Sequence, residues 1–254
     1  MKKISITLFT FVMLFFLMAC GNPGRSLASE TTGKTEAVLS ETEEQVPDAP
    51  VLYYQGHASV RIKTPEGKVI YIDPYEKVTE GYELPADVIL VTDMRHMDHN
   101  HVESVAVRNE DCVIYSPENM ITEEGHRKVN LGYVTIEAVE AGYNSLHNPR
   151  YCVGYILTFP NGTSVYFTGD TAITPQMETL SARNLDYAFF CCDGIYTMTM
   201  EDATKAAKLV GAKHSIPYHM SIEKLFDREI ANQFQVEGSL LLADGEELEL
   251  IRKM

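Results

Sequence analysis

Ala86-Asp87-Val88-Ile89-Leu90-Val91-Thr92-Asp93-Met94-Arg95-His96-Met97-Asp98-His99-Asn100-His101 joins an apolar run of strand length to a cluster of histidine and aspartate. His96, Asp98 and His99 fall within four residues, and His101 stands two further on. A loop leaving the end of a buried strand can aim such side chains at one point. Imidazole nitrogen and carboxylate oxygen suit zinc-like cations. The same residues also suit a solvated helix start, because Asp and Asn cap helices and surface histidine is common. On this segment alone the two readings stand level. What separates them is whether His and Asp recur at later strand ends.

They do recur. Strand patterns cover 51–55, 59–63 and 69–72, the last closing at Asp73-Pro74, where proline limits continuation. Strand 87–92 leads into the quoted cluster, and a helix is expected over 100–107. Further strands are expected over 112–115 and 133–139, and 153–159 and 164–167 are joined by the turn Pro160-Asn161-Gly162. From there strand and helix alternate: helix 175–182, strand 185–192, helix 200–210, strand 213–216, helix 222–234. Late strands are expected over 239–242 and 248–251. His57 lies between the first two strands, His147 follows 133–139, Asp170 follows 164–168, and His219 follows 213–216. In layered α/β folds ligands gather at the strand ends. Each residue alone reads as a surface His or a turn Asp. Together they point to one metal site in an α/β domain whose sheets are covered by helices.

Bulk properties narrow the function. The 254 residues carry a formal charge of −15, which argues against nucleic acid or anionic lipid as the main partner. Five cysteines fit no dense disulfide scaffold. Cys112, Cys152, Cys191 and Cys192 read as small buried apolar residues. No Gly-x-Ser-x-Gly elbow or glycine-rich phosphate loop occurs.

Lys2 and Lys3 followed by the apolar run 4–18 mark residues 1–19 as a signal peptide. Leu17-Met18-Ala19-Cys20-Gly21 resembles the lipobox of bacterial lipoproteins, which implies cleavage before Cys20 and a lipid on its thiol. Residues 20–49 then form a flexible acidic tether, and 50–254 the folded domain. The expected location is the extracytoplasmic face of the cell membrane, with the membrane touched through the lipid anchor only; secretion is the alternative.

Thr92-Asp93-Met94-Arg95-His96-Met97-Asp98-His99 resembles the His-x-His-x-Asp-His signature of the metallo-β-lactamase superfamily. Tyr166-Phe167-Thr168-Gly169-Asp170-Thr171 and Ile216-Pro217-Tyr218-His219 resemble its later motifs. Gly56-His57-Ala58-Ser59, Ile72-Asp73-Pro74 and Asp193-Gly194-Ile195-Tyr196-Thr197-Met198 are similar to a non-lactamase hydrolase branch that includes ascorbate-phosphate lactonases. The resemblance implies a four-layer αβ/βα sandwich with metal at the edge between two sheets. It implies His96 and His147 in a first metal site, Asp98, His99 and His219 in a second, and Asp170 bridging both. His57, Asp73 and Tyr196 would surround the ligands, with His57 able to shuttle a proton and Asp98 to orient the nucleophile.

The chain departs from the pattern at one place. The first signature histidine is due at position 94, which is Met94, and one extra residue separates Thr92 from the motif. Either Asp93 serves instead or the first site lacks a ligand. A shifted register, with His96 first and His101 last, ranks lower because Asn100 would stand where the aspartate belongs. Two functions follow. One is a hydrolase using a metal-activated hydroxide on an ester, lactone or phosphodiester small molecule. The other is a degenerate, non-catalytic metal- or ligand-binding lipoprotein. The cofactor would be one or two divalent ions, zinc first, with Mn2+ or Fe2+ open. Loops 75–86, 116–132 and 194–200 are expected to line the pocket.

Overall fold

The computed structural model describes residues 48–252. The signal segment, Cys20 and the tether up to residue 47 lie outside the described residues. Among the described residues no helix is long and apolar enough to cross a membrane.

Strands β1 (Val51–Gly56), β2 (Ser59–Lys63), β3 (Val69–Ile72), β4 (Ala86–Leu90) and β5 (Arg108–Tyr115) lie side by side in chain order. The pairs β1–β2 and β2–β3 are antiparallel, whereas β3–β4 and β4–β5 are parallel. A small hairpin of β6 (Ile121–Thr122) and β7 (Gly125–His126) follows. The second sheet runs β8 (Lys128–Asn130), β9 (Thr135–Glu140), β10 (Val153–Thr158), β11 (Ser164–Phe167), β12 (Tyr187–Cys191) and β13 (His214–Tyr218). It too begins antiparallel and ends with three parallel strands. Strand β14 (Glu247–Glu249) returns to the free edge of β1.

The pleat explains which residues build the core, since alternate side chains take opposite faces. Ile70 and Ile72 join the large cluster, with Leu52, Ile62 and Leu90 from the first sheet and Ile136, Leu157 and Phe189 from the second. Val69 and Tyr71, one position out of phase, pack with Ile89, Val91 and Val105 in a smaller cluster. Each fully buried side chain of this size contributes ~1.5–3 kcal/mol. β12 is buried along its whole length, as expected of a parallel strand covered on both faces.

The residues 200–210 form a helix as expected. Thr199 caps it by accepting from the Asp202 N–H, Gly211 ends it at φ 62°, and Ala203, Ala206, Ala207 and Val210 face inward. Elsewhere the helices are shorter than the sequence suggests. The helix expected over 100–107 is one turn at Met97–Asn100 and a 3-10 turn at Val102–Ser104. The helix expected over 222–234 is a single turn at Arg228–Ala231, because Asp227 caps at that point and accepts from the Glu229 and Ile230 N–H groups. The strand expected over 239–242 reduces to one bridge between Ser215 and Ser239. Cys112 is half-buried rather than buried.

Candidate metal centre

Asp73 follows β3, the 92–99 loop follows β4, Asp170 follows β11, Asp193 follows β12 and His219 follows β13. All five strands belong to the parallel halves of their sheets, so their carboxyl ends open on one crevice. His57 enters from the β1–β2 turn and His147 from the loop before β10. Three of these residues hold left-handed backbone: His57 at φ 57°, Asp73 at φ 46° and His219 at φ 44°. Such conformations are uncommon for non-glycine residues and collect at functional sites.

Asp170 is the centre of the arrangement. Its Oδ2 lies 3.1 Å from His99 Nε2, 3.2 Å from His147 Nε2 and 3.8 Å from His96 Nδ1. Its Oδ1 lies 3.5 Å from His219 Nε2. Asp98 Oδ2 stands 3.1 Å from His57 Nε2 and 3.5 Å from His219 Nε2. Three groups therefore bring ligand atoms within 4.8 Å of one another: His57 with Asp98 and His219, His99 with Asp170 and His219, and Asp93 with His96 and His147. His57, expected beside the ligands, falls in one of these groups with Asp98 and His219.

This donor set fits divalent cations. His99 Nε2, His219 Nε2 and Asp170 Oδ1 are buried with no hydrogen-bond partner, a costly state for polar atoms that coordination would relieve. Ligand atoms at ~2.0–2.2 Å from one tetrahedral cation stand roughly 3.3–3.6 Å apart, close to the separations above.

The ligand candidates are held from behind. His99 Nδ1 lies 3.0 Å from Asp73 Oδ2, and Asp73 also accepts from the Thr92 backbone N–H and hydroxyl, each at 2.7 Å. His219 Nδ1 lies 3.2 Å from Asp193 Oδ2, and Asp193 Oδ1 accepts backbone N–H groups of Ile195 and Tyr196. His147 Nδ1 meets Asn144 Oδ1 at 3.1 Å. Such partners fix the ring orientation of ligating histidines. Asp193 was readable as a strand-end aspartate like Asp170, although the sequence assigned it no role. Asn144 and Thr92 carried no such signal.

Charge follows geometry. Burial works against ionisation of Asp98, yet the His219 and His57 rings beside it hold its carboxyl well below the usual range. Burial likewise opposes ionisation of Asp170, and the neighbouring His99 and His219 overcome it. Burial would strip the proton from His219, but Asp170 and Asp193 raise the ring to about 10. His57 goes the other way, to about 4, through burial and the positive His219 beside it.

Other expectations need correction. Tyr196 does not sit behind the ligands; it is partly exposed at the mouth and lines the cleft. That cleft, of about 360 Å³, is bounded by Arg95, His96, Met97, Asp98, Leu146, Asp170, Tyr196 and His219. From loop 75–86, Tyr75 reaches His57, with ring centroids 4.8 Å apart. Loop 116–132 instead borders a neighbouring cleft through Pro117, Glu118 and Ile121. His101 takes no part, since its Nδ1 pairs with Ser104 Oγ at 2.8 Å and Asn100 Nδ2 donates to the Met94 carbonyl. The shifted register is thereby excluded. Met94 packs on the outer-face cluster with Tyr82 and Val102.

Two mixed sheets with His and Asp gathered at their shared edge define the αβ/βα sandwich class of metal-binding proteins. The chain belongs to the β-lactamase superfamily domain family, whose pattern matches residues 51–219. It is 28% identical over 232 residues to a metal-dependent hydrolase of Polynucleobacter asymbioticus, covering 74% of this chain and 80% of that protein. It is 29% identical over 227 residues to a metal-dependent hydrolase of Anoxybacillus flavithermus, covering 78% of this chain and 99% of that one. A solved structure from Parabacteroides distasonis, described as a metal-dependent hydrolase, superposes with a TM-score of 0.63 at 27% identity, covering 76% of this chain and 92% of that chain.

Proposed function

We propose that the chain is a metal-dependent hydrolase of small molecules. The observation that carries this reading is Asp170, whose two oxygens face His96, His99 and His147 on one side and His219 on the other. The named relatives support the reaction class. His96, Asp98, His99, His147, Asp170 and His219 would hold the ions. A divalent cation supplies Lewis acidity and makes water nucleophilic near neutral pH.

The chain's own groups supply the rest. Burial and the neighbouring His219 lower the His57 ring to about 4, and its Nε2 faces Asp98 Oδ2 at 3.1 Å, which suits it to pass a proton to a leaving group. Asp98, half-exposed at the cleft floor, is placed to orient the attacking water. Arg95 at the cleft wall, stacked 4.4 Å over the Tyr151 ring, favours a substrate with a negative group. Met97, Leu146 and Tyr196 favour an organic substituent beside it. An ester, lactone or phosphodiester with an acidic group fits both features. The non-catalytic alternative rested on Met94, which packs away from the centre.

The test is hydrolysis of a lactone, ester and phosphodiester panel by wild type and Asp170→Ala. Turnover by wild type and loss in the folded variant are expected; equal turnover removes Asp170 from the reaction. We also propose zinc as the first resident ion and a lipid on Cys20 that anchors the chain at the cell surface. The support is the donor set and the lipobox. Mass spectrometry of the mature amino terminus checks the anchor, and an unmodified Cys20 refutes it.

A further inference from the structure

We propose that Asp93 replaces the signature histidine missing at Met94, so that the first metal site has two imidazoles and two carboxylates: His96, His147, Asp93 and the shared Asp170. The proposal rests on the metal-hydrolase reading and deepens it.

Four observations carry it. First, Asp93 is 1% exposed although it lies in the loop that contains exposed Arg95 and Met97. A buried carboxylate is costly unless it is paired or holds a metal. Second, the backbone is pinned there: Asp93 bridges Cys152, and the Val153 N–H donates to the Thr92 carbonyl at 2.9 Å. The extra residue between Thr92 and the motif is therefore absorbed at a fixed point. Third, Asp93 Oδ1 accepts from the Arg95 N–H at 2.7 Å, which turns Oδ2 toward His96 Nδ1 at 3.8 Å. His96 Nδ1 in turn lies 3.0 Å from His147 Nε2. The Cys152 thiol donates to Asp93 Oδ2 at 3.0 Å, a weak contact that leaves the oxygen able to coordinate. Fourth, Met94 belongs to the outer-face cluster, so its thioether takes no ligand's place. The inserted residue shifts the ligand role back one position and turns the methionine against the smaller cluster.

The chemical consequence concerns metal choice. Exchanging an imidazole for a carboxylate hardens the site, and harder donor sets favour Mn2+ and related ions relative to zinc. The first site should thus discriminate less strongly for zinc than one with a histidine in place of Asp93.

The experiment titrates the metal-stripped full chain with Mn2+ and with Zn2+ by calorimetry, with metal content read by mass spectrometry. Wild type, Asp93→Asn, Asp93→His and Met94→Leu are compared, and folding is followed by circular dichroism. Two ions are expected for wild type and Met94→Leu. Asp93→Asn should keep the second ion and weaken the first by more than the ~10–100-fold cost of losing a supporting hydrogen bond. Asp93→His should keep both ions and lower the affinity for Mn2+ relative to Zn2+. Two undiminished ions in Asp93→Asn overturn the assignment and leave the hydrolase reading standing. Should Asp93→Asn fail to fold, an unchanged Mn2+/Zn2+ ratio in Asp93→His overturns it. A folded wild type that binds no ion overturns both.

Discussion

Asp73 Oδ2 stands 3.0 Å from His99 Nδ1, with both side chains fully buried. The pair joins the ends of two neighbouring parallel strands and turns His99 Nε2 toward Asp170. Asp73 is thus a positioning residue. Replacement by Asn keeps its shape and one acceptor oxygen for the Thr92 N–H but puts a donor where Oδ2 faces the ring, which weakens its hold on His99. The expected result for Asp73→Asn is a ~10–100-fold loss of metal affinity with the circular dichroism spectrum retained. Calorimetric titration checks this, and undiminished affinity would show that His99 needs no support.

Protonation of His219 sets a pH dependence for the stripped protein. The folded ring titrates at about 10 because Asp170 and Asp193 face it, against ~6.5 when unfolded. This contribution to stability is complete below ~6.5 and is lost as pH rises toward about 10. The melting temperature of chelator-treated protein should therefore fall across that window. Bound metal replaces the proton, so the loaded protein should not show this His219-linked fall. Parallel melting curves for the two forms would contradict the assignment of His219 to the metal centre.

Gly169 precedes Asp170 at φ +61°, where an added Cβ would come within 2.7 Å of Thr92 Cβ. Gly169→Ala should destabilise the fold by about 1–3 kcal/mol and disturb Thr92, which contacts both Asp73 and His99. Denaturant unfolding measures the first effect and metal titration the second. A variant as stable as wild type would mean that this turn is not sterically constrained.

Tyr196 and Leu146 border the cleft and stand outside the candidate ligand groups. Their loss should remove contacts made equally in the ground and transition states. Tyr196→Ala and Leu146→Ala are therefore expected to raise KM several-fold while kcat changes little. A fall in kcat with KM unchanged would place Tyr196 in the chemistry instead.

The parts of this fold that rest on burial were legible in the sequence. Strands β10 and β11 alternate or run apolar around a Pro-Asn-Gly turn, and helix 200–210 carries both its caps and its alanine face. The segments that failed lack such signals. Lys128–Asn130 is only three residues long and mostly exposed, and it offers one apolar side chain, Val129, to the core. Over 222–227 the apolar residues serve loop packing: the Leu225 carbonyl accepts from the His57 N–H while Ile222 stays exposed. The strand-end rule brought Asp73, Asp170 and His219 to one crevice because parallel strands fix where their loops emerge, whereas His57 and His147 reach it from connections between antiparallel strands. It could not place Asp93, whose role depends on how one inserted residue is absorbed. Met94 looked decisive in one dimension, and packing in three dimensions removes it from the centre.

Asp170 stands between the candidate ligands of the two sheets, His96, His99 and His147 on one oxygen and His219 on the other. The most direct test of a hydrolytic metal centre there is hydrolysis of the lactone, ester and phosphodiester panel by the full chain, first stripped of metal and then resupplied, beside Asp170→Asn treated identically. Stripping is expected to abolish turnover, added divalent ion to restore it in wild type, and the variant to stay inactive. Turnover that survives stripping, or that returns equally in Asp170→Asn, would contradict a hydrolytic metal centre at Asp170.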